Sequence, residues 1–380
     1  MLKAFKYRAY PTTAQADAMA EMVDTHRHLY NRALAERKDA WEREQRSVSY
    51  GDQSATLKAQ RLVNPYLART NFSSCQATLR RLERAFQAFF RRVKAGETPG
   101  YPRFKGRNRY NTVLFPSHGD GCKLRPDGRA YFQHIGAVKL KLHRPIAGTV
   151  KTLAFTREPD GWHVIVTCDL GDATVEPSTN PEVGIDLGLS AFLVTSDGES
   201  VPPPKFYRAA HRKLRRAQRH LARCQKGSKR RQKARERVAR LHQHIANQRR
   251  DWHHKTALSL VRRYGCIGHE ALNIRGIART RLAKSTLDVG WAQFLAILQA
   301  KAAEAGVAVV PVDARNTTQA CSQCGSLPAV PLTLRDREYH CASCGYRANR
   351  DLNAALNVRA RIAPPGWGGQ AITGALASVA

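Results

Sequence analysis

Hydrophobic positions at the start of the chain change their period after the first ten residues. Residues 3–9 alternate weakly between apolar and polar and then meet Pro11, which predicts a short strand closed by a turn. The segment Thr12-Thr13-Ala14-Gln15 matches a helix capping box. Behind it apolar residues recur at helical spacing, and they do so again from Leu79 to Val93. Residues 12–95 are therefore predicted to be mainly helical.

A different pattern begins after residues 100–107, which contain two glycines and a proline and interrupt the helical periodicity. Residues 110–175 contain β-rich runs, such as those at 137–142 and 162–166. The predicted order is therefore strand, helices, strands. A small barrel interrupted by a helical segment would explain this order.

The second half of the chain mixes short strands with helices. Alternation in period two predicts a first strand whose apolar residues share one face. The elements predicted from such patterns are strands at 183–187, 191–195, 266–272 and 307–312, and helices around 291–298 and from Asp351 onward.

Three acidic residues occupy informative places in this pattern. Asp186 lies on the first strand, opposite its apolar neighbours, Glu270 ends a later strand, and Asp351 begins the last helix. Carboxylates delivered in this way can converge at one end of a mixed sheet and hold two Mg²⁺ ions about 4 Å apart, which suits phosphodiester hydrolysis. Each acid also has a plainer explanation. Asp186 is compatible with a turn or an actin-like nucleotide-binding fold, and Asp351 with a favourable charge at a helix start.

Four of the nine cysteines form two Cys-x-x-Cys pairs separated by sixteen residues: Cys321, Cys324, Cys341 and Cys344. This spacing is typical of a tetrahedral Zn²⁺ site, and Gly325 and Gly345 permit a tight turn after each pair. Four thiolates leave no open coordination position, so the zinc is expected to be structural. The other five cysteines are scattered, which argues against a disulfide framework.

The charge of the chain indicates a polyanionic partner, with nucleic acid as the first candidate. Lys and Arg number 63 against 30 Asp and Glu, a formal net charge of +33. Residues 205–255 hold 19 of the basic residues and two acidic ones, and Gly227-Ser228 divides them into halves with thin apolar stripes. This pattern predicts a basic helical hairpin. The plain alternative is a solvated charged face, although so many like charges repel one another unless a polyanion neutralises them.

The two ends of the chain carry weaker signals. Near Met1 no apolar run is long enough for a signal peptide, and no segment approaches the length of a transmembrane helix, so we expect an intracellular protein without a membrane partner. Residues 364–380 are rich in Gly, Ala and Pro, and we predict a flexible tail there.

Several segments resemble motifs of the transposon-encoded TnpB (OrfB) proteins, which are related to the type V CRISPR effectors. The early segments Tyr10-Pro11, Tyr30-Asn31 and 100–105 are similar to that family. The resemblance extends from residue 1 to about residue 362. Three segments resemble the RuvC motifs and a fourth resembles the entrance to the zinc ribbon: Gly184-Ile185-Asp186-Leu187-Gly188, Glu270-Ala271-Leu272-Asn273-Ile274, 350–357 and 316–325.

This resemblance implies an α+β multidomain fold. A wedge-like β-barrel would hold an inserted helical recognition lobe, and a RuvC-like nuclease domain of RNase H fold would carry an inserted zinc ribbon. The implied boundaries are 1–10 and 106–178 for the barrel, 11–105 for the lobe, 179–312 and 346–363 for the nuclease domain, and 313–345 for the ribbon.

The resemblance also implies an RNA-guided DNA endonuclease. A guide RNA from the transposon end would pair with one strand of double-stranded target DNA and displace the other, while the protein reads a short adjacent motif. Asp186, Glu270 and Asp351 carry over as catalytic Mg²⁺ ligands, with Asp186 bridging both ions and Mn²⁺ able to substitute. A monomer in a prokaryotic cytoplasm, associated with the nucleoid, is favoured.

Two departures from the family pattern leave the rate of cleavage open. Ala271 replaces an acidic residue often found after the second-motif Glu, and Asn349 stands where many relatives have Asp. An RNA-guided DNA-binding protein with weak or no cleavage, acting as a repressor or as a regulator of transposition, is the alternative. A transposase acting directly on transposon ends is less favoured, because its usual acidic order is Asp, Asp, Glu.

Overall fold

The structure, a computed structural model, describes residues 1–171, 175–333 and 335–362. The chain divides into two units, Met1–Ala173 and Thr174–Ala380, and each has a hydrophobic core of its own. The tail predicted at 364–380 lies outside the described residues.

Seven antiparallel strands form the sheet of the first unit. They are β1 (Leu2–Tyr10), β2 (Thr112–Phe115), β3 (Cys122–Leu124), β4 (Arg129–Phe132), β5 (Gly136–Lys141), β6 (Thr149–Glu158) and β7 (Gly161–Asp169). Their order is β2-β6-β7-β1-β5-β4-β3, so the first strand of the chain lies in the interior of the sheet. No ladder joins β2 to β3 within the described residues, and the strands form a curled antiparallel sheet.

Four helices lie between β1 and β2 in the chain, which confirms the predicted order of strand, helices and strands. They are α1 (Thr13–Glu44), α2 (Tyr50–Val63), α3 (Pro65–Ala68) and α4 (Phe72–Lys94). Thr12 and Gln15 form the predicted capping box at the start of α1. The apolar stripe of α4 is only partly buried, since Phe90 and Val93 are 60% and 51% exposed.

The second unit contains a mixed sheet of five strands: β8 (Glu182–Leu187), β9 (Leu193–Thr195), β10 (Ser200–Val201), β11 (Cys266–Glu270) and β12 (Ala308–Val312). Their order is β10-β9-β8-β11-β12, in which β8, β11 and β12 are parallel and β9 and β10 pair antiparallel. The predicted hairpin after the first of these strands is therefore confirmed.

Six helices accompany this sheet: α5 (Phe206–Arg223), α6 (Lys229–Arg263), α7 (Ile274–Ile277), α8 (Ala283–Val289), α9 (Trp291–Glu304) and α10 (Arg350–Ala360). Val183, Ile185 and Leu187 of β8 belong to the core that also contains buried residues of α6 and α9. The alternate residue Gly184 contacts the backbone of α10. Helices therefore cover both faces of β8. Within the described residues, none of the helices combines the length and the apolar character needed to cross a membrane.

A pair of glycines lets α10 lie directly against the sheet. Gly184 and Gly268 are register partners on β8 and β11. A Cβ atom at Gly184 would overlap the backbone of Ala355 and Arg359, and one at Gly268 would lie 2.7 Å from the Ile362 side chain. Because real Cβ atoms do not approach other atoms so closely, a side chain at Gly184 would displace the backbone of α10, whereas one at Gly268 would displace the side chain of Ile362.

We expect Gly184→Ala to destabilise the second unit, because the new methyl group has no room beneath α10. Overpacking of this kind costs about 1–3 kcal/mol, which corresponds to a melting temperature lower by several degrees. Calorimetry of the purified protein measures the change. Gly106→Ala is the matched control, since nothing lies within 4 Å of its added Cβ. Equal melting temperatures for Gly184→Ala and the wild type would contradict the close packing of α10.

Candidate functional site

The ends of β8 and β11 bring two of the three predicted carboxylates together. Ile185 pairs with His269 in the parallel ladder, so the residues that follow them, Asp186 and Glu270, occupy neighbouring positions at one edge of the sheet. Their side chains lie on the face covered by α10, because they are two residues beyond the glycine pair. Both acids are buried, at 7% and 6% exposure.

The first turn of α10 supplies the third carboxylate. Asn349 caps the helix, and its side-chain oxygen accepts a hydrogen bond from the backbone N–H of Asp351 at 2.8 Å. Arg359, about two turns later, lies 3.8 Å from Glu182 at the start of β8. The helix therefore runs antiparallel to β8, and its first turn lies toward Asp186. Asn and Asp cap helices about equally well, so the departure at position 349 preserves the cap.

The three carboxylates interact electrostatically. Burial, followed by the charges of Glu270 and Asp351, raises the pKa of Asp186 to about 8, although the charge of Arg350 acts to lower it. The ligand oxygens of the three acids do not all lie within 4.8 Å of one another, so the group is spread more widely than a single compact chelate. Because its pKa is about 8, Asp186 keeps its proton near neutral pH when no metal is bound.

Neighbouring side chains distinguish the other two acids. Burial raises the pKa of Glu270, and the hydrogen bond from Thr317 and the charge of Arg361 lower it. Asp351 lies 3.8 Å from Arg350 Nε and 3.9 Å from Arg337 Nη1, which are ion-pair distances too long for hydrogen bonds. Carboxylates are the ligands that Mg²⁺ and Mn²⁺ prefer in proteins, so these three residues suit such ions.

Four cysteines form a cluster that can hold zinc: Cys321, Cys324, Cys341 and Cys344. The sulfur atoms of Cys321 and Cys344 are 3.7 Å apart, and those of Cys324 and Cys341 are 3.6 Å apart. A tetrahedral ion with Zn–S bonds of about 2.3 Å requires sulfur atoms about 3.8 Å apart, close to the observed spacing. The Ser326 hydroxyl and hydrogen bonds from the backbone N–H groups of Cys344 and Ser343 lower the pKa of the Cys341 thiol to about 5, which favours the thiolate that a metal binds.

Tight turns and a short hairpin shape this cluster. The backbone N–H of Gly325 donates to Cys321 O at 2.8 Å and that of Gly345 to Cys341 O at 2.9 Å. Both glycines have positive φ, 74° and 75°, which explains the residue type after each cysteine pair. The second pair lies between two antiparallel strands, β13 (Glu338–His340) and β14 (Arg347–Asn349).

Two asparagines of α10 attach the helix to residues 317–322, the segment that contains the first cysteine of the cluster. The Asn353 side chain donates to Ala320 O at 2.8 Å and accepts from the Ser322 N–H at 2.9 Å. The Asn357 side chain donates to Thr317 O at 2.9 Å and to Ala320 O at 2.7 Å. Sequence reasoning missed these residues. The sequence does contain a signal for them, because Asn occurs at every fourth position from 349 to 357. Asn is unfavourable in a helix interior, so its repetition there indicates a specific contact.

The predicted basic hairpin is present as α5 and α6, and Ser228 caps the second helix by accepting from the Arg231 N–H at 3.1 Å. A missed residue anchors the first helix. The buried carboxylate of Asp288 accepts hydrogen bonds from the backbone N–H groups of Tyr207 and Arg208 at 2.9 and 3.3 Å. Between the helices lies a groove of about 540 Å³ with three alanines and a set of basic residues: Arg212, Lys213, Arg216, His220 and Arg237.

A second trio of metal-type ligands lies in the first unit, at Glu158, Asp160 and His163. Lys6 forms an ion pair with Glu158, and Arg8 Nη1 lies 2.9 Å from Asp160. Cationic side chains therefore already balance these two acids, and we assign no metal to this cluster.

We expect the metal-free protein to lose stability as the pH rises from about 4 to about 8. Within that range the folded chain keeps a proton on Asp186, whose pKa is about 8, and the unfolded chain releases it. Asp186→Asn removes this penalty, so its melting temperature in chelator at pH 8 should exceed that of the wild type by at least about 2 °C, with a smaller difference at pH 5.

Asp251→Asn is the control for this measurement, since Asp251 is exposed and pairs with Lys255 at 2.7 Å. A gain for Asp186→Asn that is equal at both pH values would contradict the raised pKa.

Three family models match parts of the chain. Residues 165–281 match the OrfB_IS605 model, described as "Probable transposase", and residues 291–358 match the TNB domain of Cas12f1-like proteins. Residues 1–46 match a model described as a helix-turn-helix domain of the same OrfB group, although in this structure they form one strand and one long helix.

Curated relatives and a solved structure are similar over most of the chain. A protein of Streptomyces pristinaespiralis named "Putative RNA-guided DNA endonuclease" is 33% identical over 373 residues, which are 94% of this chain and 89% of the relative. A protein of Escherichia coli K12, "Putative RNA-guided DNA endonuclease InsQ", is 29% identical, with 94% and 92% coverage.

The Cas12f1 protein in the cryo-EM structure of its complex with sgRNA and target DNA shares the fold. Its TM-score is 0.59, at 15% identity, with 92% of this chain and 83% of that chain covered. The chain therefore belongs to the transposon-encoded OrfB, or TnpB, family, which includes these two relatives named "Putative RNA-guided DNA endonuclease".

Proposed function

We propose that this protein is an RNA-guided endonuclease that cleaves target DNA beside a short adjacent motif. The observation that carries the proposal is the convergence of Asp186, Glu270 and Asp351 at one edge of a mixed sheet. The charges of Glu270 and Asp351 raise the cost of ionising the buried Asp186, and divalent cations relieve that cost. The relatives named as RNA-guided DNA endonucleases support guidance by RNA and DNA as the substrate.

We infer that the second unit is a RuvC-like nuclease domain of RNase H fold. Three antiparallel strands followed by two parallel ones, in the order β10-β9-β8-β11-β12, support this assignment. The cysteine cluster lies in the segment between β12 and α10, as expected for an inserted zinc ribbon. The curled sheet and the helices α1–α4 of the first unit would then be the wedge and the recognition lobe.

Phosphodiester hydrolysis at this site would depend on acidic residues of the chain and on the cations that they hold. When bound, two Mg²⁺ ions would supply an activated water and stabilise the leaving oxygen. Asp186, Glu270 and Asp351 would hold these ions, and Asp186 interacts electrostatically with both of the other acids. Burial of Asp186 and Glu270 keeps solvent from screening the attraction between these carboxylates and cations.

The basic hairpin is the part of the second unit best suited to hold nucleic acid. Its groove presents arginines, a lysine and a histidine above small alanine side chains, which leaves room for a phosphate backbone. Its two acids pair along their own helix, Glu236 with Arg240 at 3.7 Å and Asp251 with Lys255 at 2.7 Å. Guide RNA, target DNA and the displaced strand are the polyanions that such a surface would bind.

We expect Asp186→Ala to lower the rate of guided cleavage by roughly 10³-fold, since it removes several kcal/mol of charge stabilisation. The cleavage assay uses the RNA that copurifies with the protein as the guide, together with matching double-stranded DNA and Mg²⁺. Asp39→Ala, which removes an exposed carboxylate of α1, is the control and should keep the wild-type rate.

Full cleavage by Asp186→Ala would reject the catalytic assignment. Tight guided binding by the wild type without any cut, at every concentration of Mg²⁺ and Mn²⁺, would favour the non-cleaving DNA-binding alternative.

We expect about one zinc per chain by metal analysis and almost none in the Cys321→Ser/Cys324→Ser double variant. Loss of the ion should also reduce cleavage, because Asn353 and Asn357 join this segment to the helix that carries Asp351. Cys266→Ser, on β11 outside the cluster, should keep both zinc and activity. A double variant that cuts DNA at the wild-type rate without zinc would show that the cluster does not support the site.

A further inference from the structure

The contacts around Thr317 join the cysteine module to the carboxylates. Thr317 is 1% exposed and follows β12 by five residues. Its hydroxyl donates a hydrogen bond to Glu270 Oε1, and its backbone oxygen accepts one from the Asn357 side chain at 2.9 Å. One residue thus contacts a carboxylate on β11 through its side chain and the helix of Asp351 through its backbone.

We propose that Thr317 is a positioning residue for metal binding by Glu270. The proposal rests on the proposed function, because it assigns Glu270 to a divalent cation. A carboxylate has about four lone-pair positions, and the hydroxyl uses one of them on Oε1. The carboxylate group is then held in one orientation, and its other lone pairs stay available to a cation.

The surroundings of Thr317 explain why the hydroxyl is directed at the acid. Thr317 Oγ1 also lies 3.0 Å from Ala314 O, and a hydroxyl has a single proton. When Glu270 is ionised, that proton goes to the stronger acceptor, the carboxylate. The Asn357 side chain holds the backbone of Thr317 at the same point, which fixes the position from which the Thr317 side chain reaches Glu270.

Partners of this kind, which orient a metal ligand without touching the metal, typically change metal affinity or activity by 10–100-fold. A Thr that merely fills the core would instead affect stability and leave the metal requirement unchanged. The two cases differ in the concentration of divalent ion that the protein needs.

The test compares Thr317→Val with Thr317→Ser and with Thr286→Val. Valine keeps the shape and removes the hydroxyl, and serine restores it. Thr286 is a matched control, because it is also buried and its hydroxyl donates to the backbone oxygen of Leu282 at 3.1 Å rather than to an acid. Zinc content and guide RNA binding are measured in all variants.

We expect Thr317→Val to need about tenfold more Mn²⁺ than the wild type for half-maximal cleavage, with recovery at saturating Mn²⁺. Serine should return the requirement to the wild-type value, and Thr286→Val should not change it. An unchanged Mn²⁺ requirement in Thr317→Val, or a loss that neither Mn²⁺ nor serine restores, would overturn the proposal.

A second readout separates this inference from the proposed function. Mn²⁺ added to the zinc-loaded protein should raise its melting temperature, and Thr317→Val should need about tenfold more Mn²⁺ for an equal rise. This measurement requires no cleavage. Equal Mn²⁺ dependence in both proteins would refute the role of Thr317 even in an active nuclease, whereas an altered dependence would support it even if guided cleavage failed.

Discussion

The packing of α10 against Gly184 and Gly268 determines where the candidate site can form. Because Gly184 has no side chain, the backbone of α10 lies directly on β8, and the side chains of Val358 and Ile362 lie above Gly268 on the neighbouring strand β11. Asp351, Ala355 and Arg359 recur at four-residue spacing and therefore lie along one side of the helix. With Ala355 and Arg359 fixed above Gly184, and Arg359 near Glu182, the first turn can only lie toward Asp186. The distance from Asp351 to the carboxylates on the sheet thus depends on the packing of α10 on Gly184, a contact in which no acidic residue takes part.

The free-energy cost of ionising buried carboxylates determines the chemistry of the candidate site. The chain carries a net charge of +33, yet the acids Asp186 and Glu270 are buried and the pKa of each is raised by burial. Arginines lie near Asp351, at distances that give only a loose ion pair. The positive charge of the rest of the chain therefore suits polyanions, whereas the carboxylates of this small region suit cations. A nuclease needs both properties close together, because the metal ions must contact a phosphate of the bound nucleic acid.

Local signals in the sequence predicted much of the fold. Period-two alternation predicted the strand that carries Asp186, and a short β-like run after a helical pattern predicted the strand that carries Glu270. The capping box predicted the start of α1, and Gly227-Ser228 predicted the turn between α5 and α6. The cysteine spacing predicted a cluster whose four sulfur atoms are in fact close together. Each of these signals lies within a few residues, where propensity and turn chemistry act.

Contacts between distant parts of the chain were not predictable in this way. Thr317 and Glu270 are 47 residues apart, and Asp288 caps a helix that begins about 80 residues earlier. Neither pairing leaves a local pattern in the sequence, because the tertiary fold determines which distant residues come into contact. The exposed Phe90 and Val93 show the converse, since helical periodicity marks an apolar stripe but does not say how much of it another element covers.

The position of α10 in chain order has a consequence for biosynthesis. The helix follows every strand of the sheet on which it packs, and the residues joined across β8 and α10 are more than 160 positions apart. Domains emerge from the ribosome from the N-terminal side at about 5–20 residues per second. For many seconds, therefore, the nascent chain exposes its basic surfaces without a complete set of carboxylates. During that interval the basic residues are already present, whereas the third carboxylate of the candidate site has not yet been synthesised.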